Sequence, residues 1–327
     1  MDFRGRPLCW LLRETCCAEL ECHMGSNNPL RLLPGRYVLA ALCCGLLPVM
    51  AQDHRDRLLS EANAAYRSLR AADAVRLFRE YLALYPDRAD VRVFLGAALL
   101  NLDQFQAALD EANRAIALDA RYAKGYMLAG RVCSALERWE AAQRFFETAQ
   151  RLDPRDLDAW YFSGRAFYGA NRFEPAVAAF ERALREGAQQ SRVYENLGLA
   201  QDALGQFDAA EKSLRKAVDV AGGAWRPYLA YGAFLFRQNR AAESLPVLQK
   251  ALTLGPSIPG VRFELARVLY HVNALAEAAQ VLEPALPSHE CRVHNLLARI
   301  YSARNETKAA EAAIQAIENC KTPQDHP

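Results

Sequence analysis

The chain has 327 residues, 52% of them apolar, with 40 basic and 38 acidic side chains and a formal charge of +2. Setting aside the five basic and four acidic residues of 1–51, 35 basic and 34 acidic side chains remain. That balance gives no reason to expect a nucleic-acid partner, which would favour a clustered basic surface, and the length suits two or three ordinary domains or one long solenoid. Much of the apolar content is alanine, which favours closely packed helices over a β-rich core.

Residues 1–23 contain Cys9, Cys16, Cys17, Cys22 and His23. They are read as lying upstream of the true start, or as removed with the signal, rather than as a metal site. Residues 24–51 form a predicted signal peptide. Arg31 and Arg36 supply its positive region, Tyr37–Leu47 its apolar run, and Val49-Met50-Ala51 a small-residue cleavage pattern after Pro48. Counted from Met24 the signal has 28 residues, and from Met1 it has 51. Only the first count fits the usual length of about 15–30. The eleven-residue run is shorter than the roughly 20 residues that span a bilayer. Leu42 before Cys43 stands where a lipobox would need glycine or alanine. The expectation is an exported protein of bacterial type, periplasmic or secreted. The alternative is a membrane-tethered assembly factor that keeps 37–47 as an anchor. Residues 52–57 are expected to be a short linker.

From residue 58 to 320 the chain is periodic. The small residues Ala62, Gly96, Gly130, Gly164, Gly198, Gly232 and Ala266 stand 34 apart, and Ala298 follows after 32. Twelve residues after each comes Ala74, Ala108, Ala142, Ala176, Ala210, Ser244, Ala278 or Ala310. Seven further on, Tyr81 is followed by Ala115, Ala149, Ala183, Ala217, Ala251, Ala285 and Ile317. Small residues in phase let two helix axes approach. Phe78, Phe146, Phe180, Leu214, Leu248, Leu282 and Ile314 then fill the space between them. Tyr126, Trp160, Tyr194 and Tyr228 mark the starts of first helices, and Pro86, Pro154 and Pro256 fall between units. The prediction is eight helical hairpins, with 321–327 as a disordered tail.

The runs Trp160…Gly164…Ala176…Phe180…Ala183 and Tyr126…Gly130…Ala142…Phe146…Ala149…Pro154 resemble the tetratricopeptide repeat family. The resemblance implies an all-α, right-handed superhelical solenoid of tandem helix-turn-helix units, used for protein binding. Pro246 and Pro284 fall inside predicted second helices and are each expected to cause a kink.

Catalytic patterns are weak. His289 and His294 are five residues apart, whereas a zinc-protease helix needs two histidines four apart on one face. Ser213-Leu214-Arg215-Lys216 matches a serine–lysine spacing, but Leu214 belongs to a core column. No glycine-rich phosphate loop or nucleophile elbow appears, and the repeats leave no room for a catalytic domain. The reading is therefore a scaffold and not an enzyme, with no cofactor. A metal-dependent hydrolase using His289, Cys291 and His294 is the rival from another class.

In a stacked-hairpin superhelix the first helices line the concave face. Residues three before, one after and four after each small residue form a stripe along it. The stripes place Arg131, Arg165, Arg267 and Arg299 in one column, flanked by Met127, Tyr161, Tyr168, Phe236, Phe263 and Tyr270. Arginine with aromatics is the composition of interface hot spots. These ten residues are the expected groove for a protein or an extended, acidic peptide, with no small-molecule substrate evident. The family's lysine–asparagine carboxylate clamp is absent, since the corresponding stripes carry Val93, Ala97, Met127 and Arg131. The last helix, with Ala309, Ala310, Ala312, Ala313, Ile314, Ala316 and Ile317, is apolar on more than one face and predicts self-association or a docked partner. Cys291 and Cys320, at the two ends of the last hairpin, are a candidate disulfide.

Overall fold

A computed structural model describes residues 52, 54–288 and 290–321. Residues 1–51, with the expected signal and its upstream stretch, lie outside the described residues, as does the tail from 322. The chain divides into two units, Met1–Leu58 and Leu59–Pro327, and the repeats occupy the second.

The described residues form helices and no strand. First helices are α1 (54–67), α3 (Ala89–Leu100), α5 (Ala123–Ala135), α7 (Leu157–Gly169), α9 (Ser191–Ala203), α11 (Trp225–Arg237), α13 (Pro259–His271) and α15 (Cys291–Ala303). Second helices are α2 (Ala71–Leu84), α4 (Phe105–Leu118), α6 (Trp139–Leu152), α8 (Phe173–Arg185), α10 (Phe207–Asp219), α12 (Ala241–Leu254), α14 (Leu275–Leu282) and α16 (Thr307–Lys321). Residues 54–57, expected as linker, are already helical.

Close packing explains the columns. A methyl group added at Gly164 would stand 2.7 Å from the Phe180 ring, and one at Gly130 equally close to Phe146. Both rings are fully buried. In the second unit, Ala112 takes the place of the large residue, and Leu128 from the third unit fills the space under Gly96 instead. The one serine of the alanine column, Ser244, is buried and donates its hydroxyl to the Gly232 carbonyl at 2.8 Å. Its polarity is thereby satisfied.

The hairpin turn carries a further column that the pattern of small and large residues does not show. Leu69, Asp103, Glu137, Asn171, Gly205, Asn239, Asn273 and Asn305 all have φ between 55° and 74°. Each closes its first helix in the left-handed conformation, and the next amide reaches back five residues, as Arg172 does to the Phe167 carbonyl at 2.9 Å. The connection between units is tied by side chains reaching back six residues. Arg92, Tyr126, Trp160 and Arg262 donate to the carbonyls of Pro86, Ala120, Pro154 and Pro256.

The two internal prolines behave differently. Helix α12 runs through Pro246 from Ala241 to Leu254 without a break. At Pro284 the α-helix gives way: α14 ends at Leu282 and continues as a 3₁₀ turn over Glu283–Ser288. Proline removes one backbone donor in either place, but the shorter seventh unit adds the tighter turn. Successive first helices from α3 onward touch one another, whereas successive second helices make no comparable contact. The stack therefore closes on the first-helix side, which is its concave face.

Candidate functional site

Side chains three before, one after and four after the small residue lie about 60°, 100° and 40° from it around the helix. The middle position points furthest from the core, and the structure follows that order. Arg165 and Arg299 are exposed, and Arg131 and Arg267 half-buried. Tyr168, Phe236 and Tyr270 are half-buried at the groove wall. Tyr161 is buried in the core between the fourth and fifth units, and Phe263 and Met127 pack against core clusters. Met127 and Phe263 support the groove from beneath more than they line it, while the Tyr161 ring also borders a cavity on this face.

The arginines sit on rings. Arg131 lies 4.8 Å over Phe162, Arg267 4.9 Å over Phe236, Arg299 4.9 Å over Tyr270, and Arg165 6.0 Å over Tyr161. The first three pairs join neighbouring units. Each guanidinium thus gains a cation–π contact, and those of Arg131, Arg165 and Arg299 keep an N–H edge available to a carboxylate.

A second set of arginines was not visible in the stripes. Arg192 pairs with Asp158 at 2.7 Å, Arg226 with Glu195 at 3.6 Å, and Arg237 with Asp202 at 2.6 Å. Every one of these pairs joins consecutive first helices of the fourth, fifth and sixth units, and no single-helix reading could find it. Burial pushes the Glu195 carboxyl above its ordinary value, and Arg226 opposes that shift. By contrast, Arg131, Arg165 and Arg299 have no carboxylate at ion-pair distance among the described residues, and Arg267 shares its charge with Glu264 at 3.2 Å. Burial, aided by the nearby Arg165 and Arg192 cations, holds the Arg131 guanidinium below its ordinary value against Tyr66 and Asp158. An anion at that point would relieve it.

Three cavities open on this face; one, of about 500 Å³, lies over the paired middle and is lined by Tyr161, Arg165, Arg192, Glu195, Asn196 and Arg226 among others. Two more bring predicted groove residues together. One, of about 540 Å³, is lined by Arg131, Arg165, Phe162, Tyr168, Trp139 and Asn196 among others. The other, of about 410 Å³, holds Phe236, Arg267, Tyr270, His271, Leu296 and Arg299. The predicted groove residues are therefore brought together in two groups rather than one continuous strip.

The profile of the tetratricopeptide repeat matches residues 59–124, 127–191 and 195–259, well over half of the chain. The chain belongs to the tetratricopeptide repeat family. Tetratricopeptide units are, in general, non-catalytic scaffolds for protein–protein interaction. The curated relatives share only part of their length with this one. A human protein O-mannosyl-transferase, TMTC1, is 31% identical over 128 residues, 38% of this chain and 14% of that protein. A DnaJ homolog subfamily C member 7 homolog of Schizosaccharomyces pombe (strain 972 / ATCC 24843) is 31% identical over 89 residues, 26% of this chain and 19% of that one. Among solved structures, the APC/C hetero-tetramer Cut9-Hcn1 aligns over 82% of this chain and 53% of its own, at 18% identity and a TM-score of 0.62. A tetratricopeptide repeat protein from Parabacteroides merdae ATCC 43184 covers 71% of this chain and 92% of its own, at 14% identity and a TM-score of 0.56. These structural likenesses speak for the fold alone.

The remaining sequence candidates fall apart in space or lie outside the described residues. His294 is buried inside α15, Cys291 opens that helix, and His289 lies outside the described residues. Among the described residues no three His, Cys, Asp or Glu side chains are placed to hold a metal ion. Cys291 carries a free thiol, and the side chain of Cys320, its expected disulfide partner, lies outside the described residues. On α16, Ala310 and Ala313 are buried, while Ala312 and Ile314 are exposed beside Lys308, Glu311 and Gln315.

Proposed function

We propose that this tetratricopeptide chain is an exported scaffold that binds an extended, acidic protein segment along its concave face. The observation that carries the reading is the pair Arg131 and Arg165, which line one cavity with an aromatic wall and have no carboxylate at ion-pair distance among the described residues, Asp103 at the cavity's border included. A carboxylate arriving there would meet two forked donors already held in place, which lowers the entropy cost of binding. Replacing both arginines, Arg131→Ala with Arg165→Ala, is expected to weaken a captured partner about 10- to 100-fold. Helical melting should fall only slightly, through the lost stacking of Arg131 on Phe162, because Arg165 is exposed and neither arginine belongs to the buried core. A clear fall in melting temperature with unaltered binding would assign the pair to structure instead.

Export rests on the sequence pattern of 24–51. N-terminal sequencing of protein from the exporting host should read Gln52-Asp53-His54. Recovery of residues 1–23 on stable, soluble protein would overturn this, and recovery of 37–47 on membrane-bound protein would favour the tethered alternative. Among the described residues no helix is long and apolar enough to cross a membrane.

A further inference from the structure

Charge along the concave face alternates in a way that specifies more than an acidic ligand. At one end Arg131 and Arg165 lack carboxylate partners among the described residues. In the middle, Arg192, Arg226 and Arg237 are each neutralised by an acid of the preceding unit. At the far end Arg299 again has no carboxylate among the described residues, and Arg267 shares one with Glu264 across a single helical turn. Both ends have an open cavity over an aromatic floor, and the cavity between them is bordered by the paired Arg192, Glu195 and Arg226. We infer that the groove holds two separate carboxylate subsites, read by one bipartite segment whose acidic ends flank a neutral stretch. This rests on the proposed function and deepens it.

The geometry bounds the spacing. Arg165 on α7 and Arg267 on α13 are three first-helix steps apart. At about 10 Å per step this is about 30 Å, which an extended chain covers in about nine residues. The first subsite should be the stronger, because Arg267 already gives part of its charge to Glu264. The second adds Phe236, Tyr270 and Leu296, so an apolar side chain beside the acid suits it. A nucleic-acid backbone fits less well. Its evenly spaced phosphates would pass over Asp158, Glu195 and Asp202, whose arginines are taken, rather than skip the middle.

The test uses the full mature chain and synthetic peptides with an acidic pair at one end or at both ends, joined by neutral linkers of three, nine or fifteen residues. The nine-residue form should bind about 10- to 100-fold more tightly than either single-ended peptide, through the effective concentration of the second end. The three-residue form should lose that advantage. Arg267→Gln with Arg299→Gln should reduce the two-ended peptide to single-ended affinity and leave peptides for the first subsite untouched. Circular dichroism of the variants separates this from unfolding. If no linker gives an advantage while single-ended peptides still respond to Arg131→Gln with Arg165→Gln, the bipartite inference fails and the groove reading stands. If single-ended peptides ignore every arginine variant, the groove reading itself fails. Displacement by a short oligonucleotide with no dependence on acidic spacing would overturn the inference in favour of a phosphate backbone.

Discussion

The fourth and seventh units carry the same columns, and they differ in how much backbone their second helix commits. In the fourth, α8 runs without interruption from Phe173 to Arg185, and Phe180 presses on a bare glycine backbone at Gly164. In the seventh, Ala266 and Leu282 are buried in one cluster, and the α-helix stops at that leucine to become a 3₁₀ turn. The glycine at 164 leaves room for a phenylalanine ring, but the pairing is not a general rule, since Gly198 and Gly232 meet Leu214 and Leu248 and Ala62 shares its unit with the buried Phe78. What separates the two units is therefore the continuity of the second helix under its large residue.

The comparison can be broken most forcefully at the large residues. Phe180→Ala should cost about 3–5 kcal/mol, because the cavity is walled by regular helix that relaxes little. Leu282→Ala should fall near the lower end of the usual range of about 2–5 kcal/mol, since the adjoining turn can collapse. Chemical denaturation of the two variants gives the ranking, and equal losses would show that the 3₁₀ segment is as stiff as α-helix. The next test concerns the small residues. Gly-to-Ala changes inside helices usually stabilise, but Gly164→Ala drives a methyl into the Phe180 ring and should destabilise by about 1–3 kcal/mol. The converse Ala266→Gly should cost only about 0.5–1 kcal/mol of helix entropy. A stabilised Gly164→Ala protein would mean the ring has room to move. A control comes last: Asn171→Leu and Asn273→Leu occupy the same left-handed position and should each cost about 1 kcal/mol, with no difference between them. Unequal melting shifts would locate the difference between the units in the turn and not in the second helix.

Much of this was legible from the residues. Columns such as Gly130–Phe146 and Gly164–Phe180 are local to one hairpin, because a turn of constant length between two helices brings residues 16 apart face to face. The turn column was missed because Leu69 and Glu137 occupy left-handed positions where asparagine and glycine would have advertised them. Groove membership was half legible. Arg165 and Tyr161 both belong to the stripe, but an offset of about 40° decides that one faces water and the other the core. Pairs such as Arg237–Asp202 lie 35 residues apart and depend on how two units stack, which no single-helix pattern encodes. The difference within the arginine column was legible by contrast, because Glu264 stands three residues before Arg267 on the same helix.

The filling of the space under Gly96 by Leu128 has a consequence for how the chain is made. The second unit spans 89–118, yet its interior is completed by a side chain from α5, in the unit that follows. A nascent chain that has emerged only to Leu118 has both helices of that unit and still lacks the residue that plugs it. Closure must wait until residue 128 leaves the ribosome, so the order of synthesis and the order of packing are offset there by about a third of a repeat.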